Sequence, residues 1–418
     1  MTQPQAPTFP NPLLDAHRQA EAELQPYGPL EIVSTFGEPQ AEYAAVRKAA
    51  GLFDLPHRGI LELTGKDRLP FLNNLVSNVT WDKNAKQGMA ASTGVYAFFL
   101  NLRGRIVADM NVLELGDRTL VETDVRYVDL LRKVWDLYLF TEKVTLASQV
   151  GKLHELALHG HNAFDVLRQA AGAPVPLDAP LASSQFKLFD VDAIAFRDDV
   201  CGVPGVHLVV PHDAAQNMWL ALVERFGFAT DIGKRMLRPI GWAAFNTTRI
   251  EAGRPLVDVD IPAATPDRPG AKLRPEELQE ASQENAPTAG GGRSGAAPAH
   301  PGILPAETGP LAARAVAYTK CYVGQEIVAR MHARGQVAKQ LVGLRVADDA
   351  LPVAGTNVFD DKDNAVGAVT SSTPSPVLSN ATIALAYVKR PLFAEGTKLR
   401  VPAEGAVREA TVVKLPFV

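Results

Sequence analysis

A long stretch of the chain, residues 262–302, cannot belong to a folded core. It contains seven prolines and the triplet Gly290-Gly291-Gly292, and it has no aromatic residue. Its only large aliphatic side chains are Leu273 and Leu278. Such a segment buries too little apolar surface to offset the entropy lost on ordering. We therefore predict a surface insertion there, with at most one weak helix at residues 275–284.

Before the insertion, helical and strand periods are mixed. Residues 1–40 are rich in proline and weakly patterned, and we predict that they form an N-terminal extension. From residue 41 onward, some segments repeat apolar residues at helical intervals, and others run as apolar strands. The clearest strand pair spans residues 94–115 around a turn at residues 101–104. The mixture predicts an α+β body over residues 41–261.

After Gln340 the hydrophobic period becomes that of strands. Val342, Leu344 and Val346 fall at every second position, as do Leu399 and Val401. Short strands at a spacing of roughly 10–15 residues are typical of a small barrel or sandwich. We predict a β-barrel over residues 341–418, and we assign residues 303–340 to a segment that completes the body.

Composition and charge exclude several classes of protein. Lys and Arg number 42 against 46 Asp and Glu, a net charge of −4, which disfavours a general nucleic-acid binder. The N-terminus lacks the basic and apolar regions of a signal peptide, and the apolar runs are far shorter than the ~20 residues of a membrane span. Two cysteines, Cys201 and Cys321, do not make a disulfide framework. We expect a cytoplasmic protein with no membrane partner.

The segment around Cys321 concentrates reactive chemistry. Residues 314–345 include six Lys or Arg side chains and a single carboxylate, Glu326. Cationic surroundings favour the thiolate, which is the nucleophilic and metal-binding form of cysteine. From these residues alone, Cys321 is either a functional thiol or a small buried side chain, as most free cysteines are. Cys201 lacks such a setting and is predicted to be structural.

Common site motifs are absent from the sequence. Cys321 and His332 lack the C-x₂₋₄-C pair usual in structural zinc sites, and no P-loop or G-x-S-x-G elbow occurs. Glu326 and Arg330 either form a helical ion pair or leave the arginine to an anionic ligand. Asp109, on the second strand of the 94–115 pair, is either a ligand-binding carboxylate or an ordinary strand-end charge.

The motif Cys321-Tyr322-Val323-Gly324-Gln325-Glu326, followed by Arg334-Gly335, resembles the signature of the YgfZ-like folate-binding proteins. Mitochondrial relatives of those proteins assist iron–sulfur cluster maturation, and the superfamily includes the glycine-cleavage T protein, an aminomethyltransferase. The similar segments follow one another over most of residues 41–261 and 303–418. They are Gly51-Leu52-Phe53-Asp54-Leu55, Arg103-Gly104-Arg105-Ile106, Arg249-Ile250-Glu251-Ala252-Gly253, Leu304-Pro305-Ala306-Glu307, Cys321-Tyr322-Val323-Gly324-Gln325-Glu326 and Leu415-Pro416-Phe417-Val418.

The resemblance implies a three-lobed α+β body of T-protein type, a C-terminal antiparallel β-barrel and a central cavity for tetrahydrofolate or a derivative. It implies that Cys321 is a functional thiol near the mouth of that cavity. The side chains that it assigns to folate binding, with arginines holding the glutamate tail, are Asp109, Arg249, Glu307, His207 and Arg330.

The sequence departs from the family patterns at three places. The usual Lys-Gly-Cys is Thr319-Lys320-Cys321, so the lysine stands one position closer to the cysteine. The paired Asp-Asp of the T protein is Ala108-Asp109. A Gly-aromatic-Glu segment whose Glu binds the pterin is Gly205-Val206-His207. His207 is therefore either a pterin contact or an ordinary strand histidine.

Three functions follow from the resemblance as alternatives. The first is a tetrahydrofolate-binding accessory protein for the maturation or repair of iron–sulfur proteins, with those client proteins as partners. The second is a folate-dependent aminomethyltransferase, and the third is a non-catalytic folate-binding module that docks a partner protein. The signature at Cys321 favours the first function, and Ala108 argues against the second.

Overall fold

The computed structural model of the protein describes residues 9–228, 235–267, 302–335 and 337–418. They fall into two compact units. Unit 1 contains the described parts of Met1–Arg68, Met89–Gly94 and Asn111–Phe245, and unit 2 contains those of Leu69–Gly88, Val95–Met110 and Asn246–Val418. Most of the insertion, including the helix expected at residues 275–284, lies outside the described residues.

Helices and strands alternate irregularly along the chain, which confirms the predicted α+β class. Among the described residues, no helix is long and apolar enough to cross a membrane. The helices are α1 (Leu14–Gln19), α2 (Pro39–Lys48), α3 (Arg68–Leu75), α4 (Val125–Asp136), α5 (Ala163–Ala171), α6 (Ala215–Phe226), α7 (Trp242–Glu251), α8 (Leu311–Ala315) and α9 (Gln325–Arg334). The strands before the insertion are β1 (Glu23–Tyr27), β2 (Leu30–Thr35), β3 (Gly51–Asp54), β4 (Arg58–Thr64), β5 (Trp81–Asp82), β6 (Gln87–Gly88), β7 (Thr93–Leu100), β8 (Ile106–Glu114), β9 (Thr119–Asp124), β10 (Thr145–Ser148), β11 (Leu153–His159), β12 (Ser183–Leu188), β13 (Val191–Arg197), β14 (Gly205–Pro211) and β15 (Arg238–Ile240).

A six-stranded sheet with the order β12-β13-β14-β11-β3-β15 forms the centre of unit 1. Its strands have two different faces. On one face, Leu156, Leu158 and Leu208 pack with α5 and α6 in a core of fully buried apolar side chains. On the other face, β11 and β14 present Glu155 and His207, which are also buried. Because side chains alternate along a strand, one short strand supplies both an apolar core and a polar surface.

A second sheet has the order β10-β4-β9-β8-β7. Within unit 1, β4 pairs with β9 and β10, and the end of β8 pairs with β9, where Asn111 lies opposite Glu122. A cleft of about 540 Å³ lies between the two sheets of unit 1, lined by Leu120 on one side and Val209 on the other. The polar face of the six-stranded sheet is therefore turned toward this second sheet.

The N-terminal extension has more regular structure than its weak patterning predicted. It contains α1 and the antiparallel hairpin of β1 and β2. Leu13, Leu30 and Ile32 are buried and hold it in place, and His17 Nε2 lies 2.8 Å from Asp54 Oδ2. The packing of the extension depends on a few isolated apolar side chains, so no hydrophobic period in the sequence predicts it.

The C-terminal part of unit 2 is a closed antiparallel barrel, which confirms the predicted one. Its strand order is β16-β19-β18-β17-β20-β21. Val342, Leu344 and Val346 are buried in its core, as their alternation predicted. The barrel strands are β16 (Lys339–Val346), β17 (Asn357–Phe359), β18 (Ala365–Ser375), β19 (Ala381–Lys389), β20 (Lys398–Ala403) and β21 (Ala406–Val413).

A tight turn at residues 101–104 lies close to the start of α9 in unit 2. The Asn101 side-chain oxygen accepts hydrogen bonds from the backbone N–H groups of Arg103 and Arg105, at 3.1 and 3.0 Å. Gly324, at the start of α9, has a φ of +78°, and a Cβ atom there would lie 2.3 Å from the carbonyl oxygen of Asn101. Only glycine therefore lets the segment after Cys321 approach this turn so closely.

Candidate functional site

Asp109 is a buried carboxylate in unit 2, only 8% exposed. It lies on β8, and Tyr96 on β7 donates its phenolic O–H to Asp109 Oδ2 over 2.9 Å. A hydroxyl donor fixes the orientation of a carboxylate without neutralising its charge. The hydrogen bond therefore orients the carboxyl group of Asp109 in a shielded environment, where electrostatic interactions are stronger than in water.

Further contacts hold Tyr96 itself. The guanidinium group of Arg314 lies 4.7 Å from the centroid of the Tyr96 ring, a cation–π distance. Asn78 Nδ2 donates both to the carbonyl oxygen of Tyr96, at 2.9 Å, and to that of Arg314, at 3.0 Å. Asn78 thus connects the strand that carries Tyr96 to the segment that leads toward Cys321.

Lys320 anchors the segment that carries Cys321. Its ammonium group donates to the carbonyl oxygens of Val76 and Asn78, at 2.7 and 2.5 Å. Val76 directly follows α3, where helix-end carbonyls need such donors. Burial, together with the nearby charge of Lys83, lowers the pKa of Lys320 to about 7. In its changed position beside the cysteine, Lys320 therefore has a structural task.

Cys321 is a free and exposed thiol. It stands between the anchored Lys320 and the buried Tyr322, and the close approach of Gly324 fixes the chain three residues later. In the part of the chain that the structure describes, no group of three or more His, Cys, Asp and Glu side chains could hold a metal ion. A chain of contacts within unit 2 links the predicted site residues Asp109 and Cys321 through Tyr96, Asn78 and Lys320.

Arg249 is fully buried in unit 2, and all three of its guanidinium nitrogens donate hydrogen bonds there. Nε donates to Asn246 at 2.9 Å, Nη1 to the Asp260 carboxylate at 2.6 Å, and Nη2 to Ser371 at 2.8 Å. These contacts connect α7 with barrel strand β18. Its expected contact with folate stays a prediction, since the structure places Arg249 in an ion pair of its own.

Glu307 and Arg330 also have separate surroundings. Glu307 is 1% exposed, and its Oε2 accepts the backbone N–H of Leu304 at 2.9 Å. Burial raises its pKa, although the cation of Lys339 opposes this effect. Arg330 Nη2 donates to Glu326 Oε1 at 2.8 Å, which is the helical ion pair that their spacing suggested. Roles of these two residues in folate binding stay predictions.

His207 belongs to a buried polar cluster in unit 1. Its Nδ1 lies 2.7 Å from Oε1 of Glu155 on the adjacent strand β11. Its ring stacks on Phe196, with 4.8 Å between centroids, and the ring of His159 meets it edge-on at 5.3 Å. Burial and the neighbouring His207 lower the pKa of His159 to about 3, so His159 is neutral at physiological pH.

Several polar atoms of this cluster have no hydrogen-bond partner among the described residues. Buried polar groups in proteins are normally paired, so the cluster fits a ligand that carries both donors and acceptors. Asn111 Nδ2 does donate to Glu122 Oε2, at 2.8 Å. The unpartnered atoms are Glu155 Oε2, His207 Nε2, both ring nitrogens of His159, and Asn111 Oδ1.

Sequence reasoning identified His207 and missed Glu155, His159 and Glu122. From the sequence, β11 has only the pattern of an apolar strand, because Leu156 and Leu158 dominate it. The available signal was the spacing of Glu155 and His159, which are four residues apart and so share one face of a strand. Glu122 lies on β9, a strand whose sequence shows no clear alternation of apolar and polar residues.

The chain is similar to known proteins over most of its length. The model of the GCVT N-terminal domain matches residues 13–268, and that of the glycine cleavage T-protein C-terminal barrel domain matches residues 339–418. A probable aminomethyltransferase of Natronomonas pharaonis is 28% identical over 412 residues, which are 97% of this chain and 98% of that protein. The crystal structure of glycine cleavage system aminomethyltransferase T from Bartonella henselae has a TM-score of 0.73 at 20% identity, covering 97% of both chains.

An α+β body followed by a closed six-stranded barrel is the T-protein class of fold. The chain belongs to the glycine cleavage T-protein family, since the two family models together span most of it. This membership confirms the predicted superfamily and the T-protein type of fold. The expectation of an aminomethyltransferase-like enzyme with tetrahydrofolate as its cofactor agrees with this family.

Proposed function

We propose that the protein is a tetrahydrofolate-dependent aminomethyltransferase, which was the second of the functions considered from the sequence. The observation that carries the proposal is the buried Asp109 carboxylate, held by the Tyr96 hydroxyl at 2.9 Å. Tetrahydrofolate, when bound, supplies the amine nitrogens that accept a one-carbon unit. A shielded carboxylate is suited to orient an amine by accepting its N–H, and to stabilise the positive charge that develops during such a transfer.

The polar cluster of unit 1 gives separate support to the same proposal. A folate ring carries N–H donors, ring nitrogens and a carbonyl oxygen. Glu155 Oε2 and His207 Nε2 are buried polar atoms without a partner among the described residues, and the Phe196 ring stacks against His207. Polar atoms beside aromatic rings are the usual means of recognising a planar heterocycle. The residues present therefore fit the cofactor.

A titration and an assay test this function. Calorimetry with tetrahydrofolate should show saturable binding to the wild-type protein, and no heat up to high micromolar ligand would refute the proposal. With an aminomethyl donor present, the protein should transfer the methylene carbon to tetrahydrofolate, forming methylenetetrahydrofolate and releasing ammonia and the free donor group. Asp109→Asn should bind tetrahydrofolate and transfer at least about 100-fold more slowly, the usual loss when an electrostatic or proton-transfer group is removed.

The YgfZ-like function in iron–sulfur protein maturation is a second candidate, and one observation favours it. Cys321 is exposed, while Lys320 and Gly324 fix the chain on either side of it. Fixed presentation of a thiol is unnecessary for aminomethyl transfer but would serve contact with a client protein. In cells that lack the protein, Cys321→Ala should then fail to restore iron–sulfur enzyme activity. The buried Cys201 gives a matched control, Cys201→Ala, which should restore it; equal restoration by both variants would exclude the thiol.

A further inference from the structure

Glu155 and His207 form a buried polar pair in unit 1. The two side chains come from adjacent antiparallel strands, β11 and β14, and lie on the same sheet face. Glu155 is 2% exposed and His207 is 7% exposed. Their contact joins Glu155 Oε1 to His207 Nδ1 at 2.7 Å, which is short for a nitrogen–oxygen hydrogen bond and typical of one assisted by charge.

Each partner keeps one polar atom unused. His207 Nε2 and Glu155 Oε2 are buried and have no partner within the described residues. An unpaired buried polar atom costs about 1–3 kcal/mol. A pair with purely structural value would gain from having these atoms paired, so their condition points to a ligand that completes them.

The surroundings determine how many protons the pair holds. Three carboxylates act on His207, those of Glu155, Asp198 and Glu122. Burial alone would lower the pKa of His207, but the hydrogen bond to Glu155 and these three charges outweigh it and raise that pKa. His159, the other titratable neighbour of the ring, is neutral. Burial and the charge of Glu122 raise the pKa of Glu155, while its hydrogen bond to His207 and the cation of Arg58 oppose that rise. Carboxylates therefore dominate this side of the ring.

We propose that Glu155 is a positioning residue for His207. It holds His207 as an imidazolium whose Nδ1–H donates to Glu155 Oε1 and whose Nε2–H is offered to an acceptor atom of the ligand. The ligand atom must be an acceptor, such as a carbonyl oxygen or a ring nitrogen with a lone pair, because a doubly protonated imidazole ring has no lone pair to offer. Insofar as this ligand is the ring of tetrahydrofolate, the inference rests on the proposed function.

Nitrogen NMR of ¹⁵N-histidine-labelled protein tests the positioning directly. The chain has nine histidines, and the His207 signals are identified by their absence from the His207→Asn spectrum. In the wild type, both His207 nitrogens should be protonated at pH 6.5. Glu155→Gln keeps an acceptor for Nδ1–H and removes the charge, so its His207 should lose the Nε2 proton at that pH. An unchanged titration of His207 in Glu155→Gln would overturn the inference.

Binding measurements complete the test. At pH 6.5, Glu155→Gln should weaken tetrahydrofolate binding by about tenfold or more, as expected for the loss of a charged hydrogen-bond donor. Glu155→Asp retains the carboxylate and should keep His207 protonated, which a merely space-filling role of Glu155 would not require. An unchanged Kd in Glu155→Gln, with His207 deprotonated, would overturn the assignment of Nε2–H to the ligand.

Glu42 offers a matched control for Glu155. It is another fully buried glutamate of unit 1, and its carboxylate accepts hydrogen bonds from Thr35, Phe36 and Gly241. Glu42→Gln should lower stability without altering the His207 signals. Should the wild type show the expected His207 signals yet bind no tetrahydrofolate, the proposed function and the ligand contact both fall, while the positioning of His207 by Glu155 stands.

Discussion

Tyr96 and Asp109 lie 13 positions apart on two successive strands and share one hydrogen bond of 2.9 Å, from the phenolic O–H to the carboxylate. The tyrosine is in turn covered by Arg314 and tied to Asn78. The carboxylate that we propose to act on the one-carbon transfer is therefore oriented by a residue whose own position is fixed twice over.

Removing the Tyr96 hydroxyl should impair the transfer reaction. Tyr96→Phe keeps the ring beneath Arg314 but deletes the O–H, so Asp109 loses one oriented donor. A hydrogen bond to a charged group contributes about 1.5–3 kcal/mol, which corresponds to a decrease of about 10-fold or more in kcat/KM. Steady-state kinetics of methylenetetrahydrofolate formation measures it. The exposed Asp117, in the turn between β8 and β9, supplies the control Asp117→Asn, and equal rates for the two variants would contradict the assigned role.

Arg249 should be required for folding. Arg249→Met leaves the carboxylate of Asp260 buried without its cation, and both side chains are 0% exposed. Breaking a buried ion pair from one side costs about 3–5 kcal/mol. Urea unfolding followed by circular dichroism measures the loss. Arg330→Ala removes an exposed helical pair instead and should change stability by no more than about 0.5 kcal/mol; similar losses in the two variants would refute this difference.

The two glycines that flank α9 should respond unequally to alanine. Both have positive φ, +78° at Gly324 and +61° at Gly335. At Gly335 a Cβ atom meets nothing within 4 Å, so Gly335→Ala bears only the left-handed backbone penalty of about 1–2 kcal/mol. At Gly324 the same atom would collide with the Asn101 carbonyl oxygen, so Gly324→Ala should cost clearly more. Thermal unfolding of both variants decides this, and the reverse order would show that the turn at residues 101–104 yields easily.

Acid should destabilise the protein partly through His159. Its pKa falls from 6.5 to about 3 on folding because burial disfavours the charged ring. Between those two values the unfolded chain binds a proton that the native protein does not, so stability falls as the pH falls. Relative to pH 7, this amounts to roughly 2 kcal/mol at pH 5.

Substitution of His159 should remove that dependence. The difference in unfolding free energy between pH 7 and pH 5, obtained from urea titrations, should be about 2 kcal/mol smaller in His159→Gln than in the wild type. His161 is exposed, and His161→Gln should leave the difference unchanged. If His159→Gln retains the full pH dependence, His159 is charged in the folded protein.

Some elements were predictable because a local pattern determines them. The alternation of Val342, Leu344 and Val346 gave the barrel, since one face of each barrel strand must be apolar. Asp109 and Cys321 were open alternatives from the residues alone, and only the resemblance to a family favoured a role for them in the site.

Other features depend on contacts distant in sequence. Glu155 and His207 are 52 positions apart and meet only because β11 pairs with β14 in one particular register. The partners of Arg249 in the structure, Asp260 and Ser371, lie 11 and 122 positions away in the sequence, and no local pattern pairs them with it. Whether a charged side chain faces a ligand or another side chain is settled by tertiary packing, which no local window of sequence contains.

The two unlike faces of the six-stranded sheet also bear on how the chain reaches its fold. In β11, Leu156 and Leu158 alternate with Glu155 and His159. A slip of one residue against β14 would turn the leucines to the polar face and the two ionisable side chains to the apolar one. Burying those ionisable groups in the apolar core beneath α5 and α6 would cost several kcal/mol. The polar residues of β11 therefore favour the correct register of strand pairing over a slipped one. If β11 were entirely apolar, the protein would gain little stability, and the correct register of β11 against β14 would no longer be favoured over a slipped one.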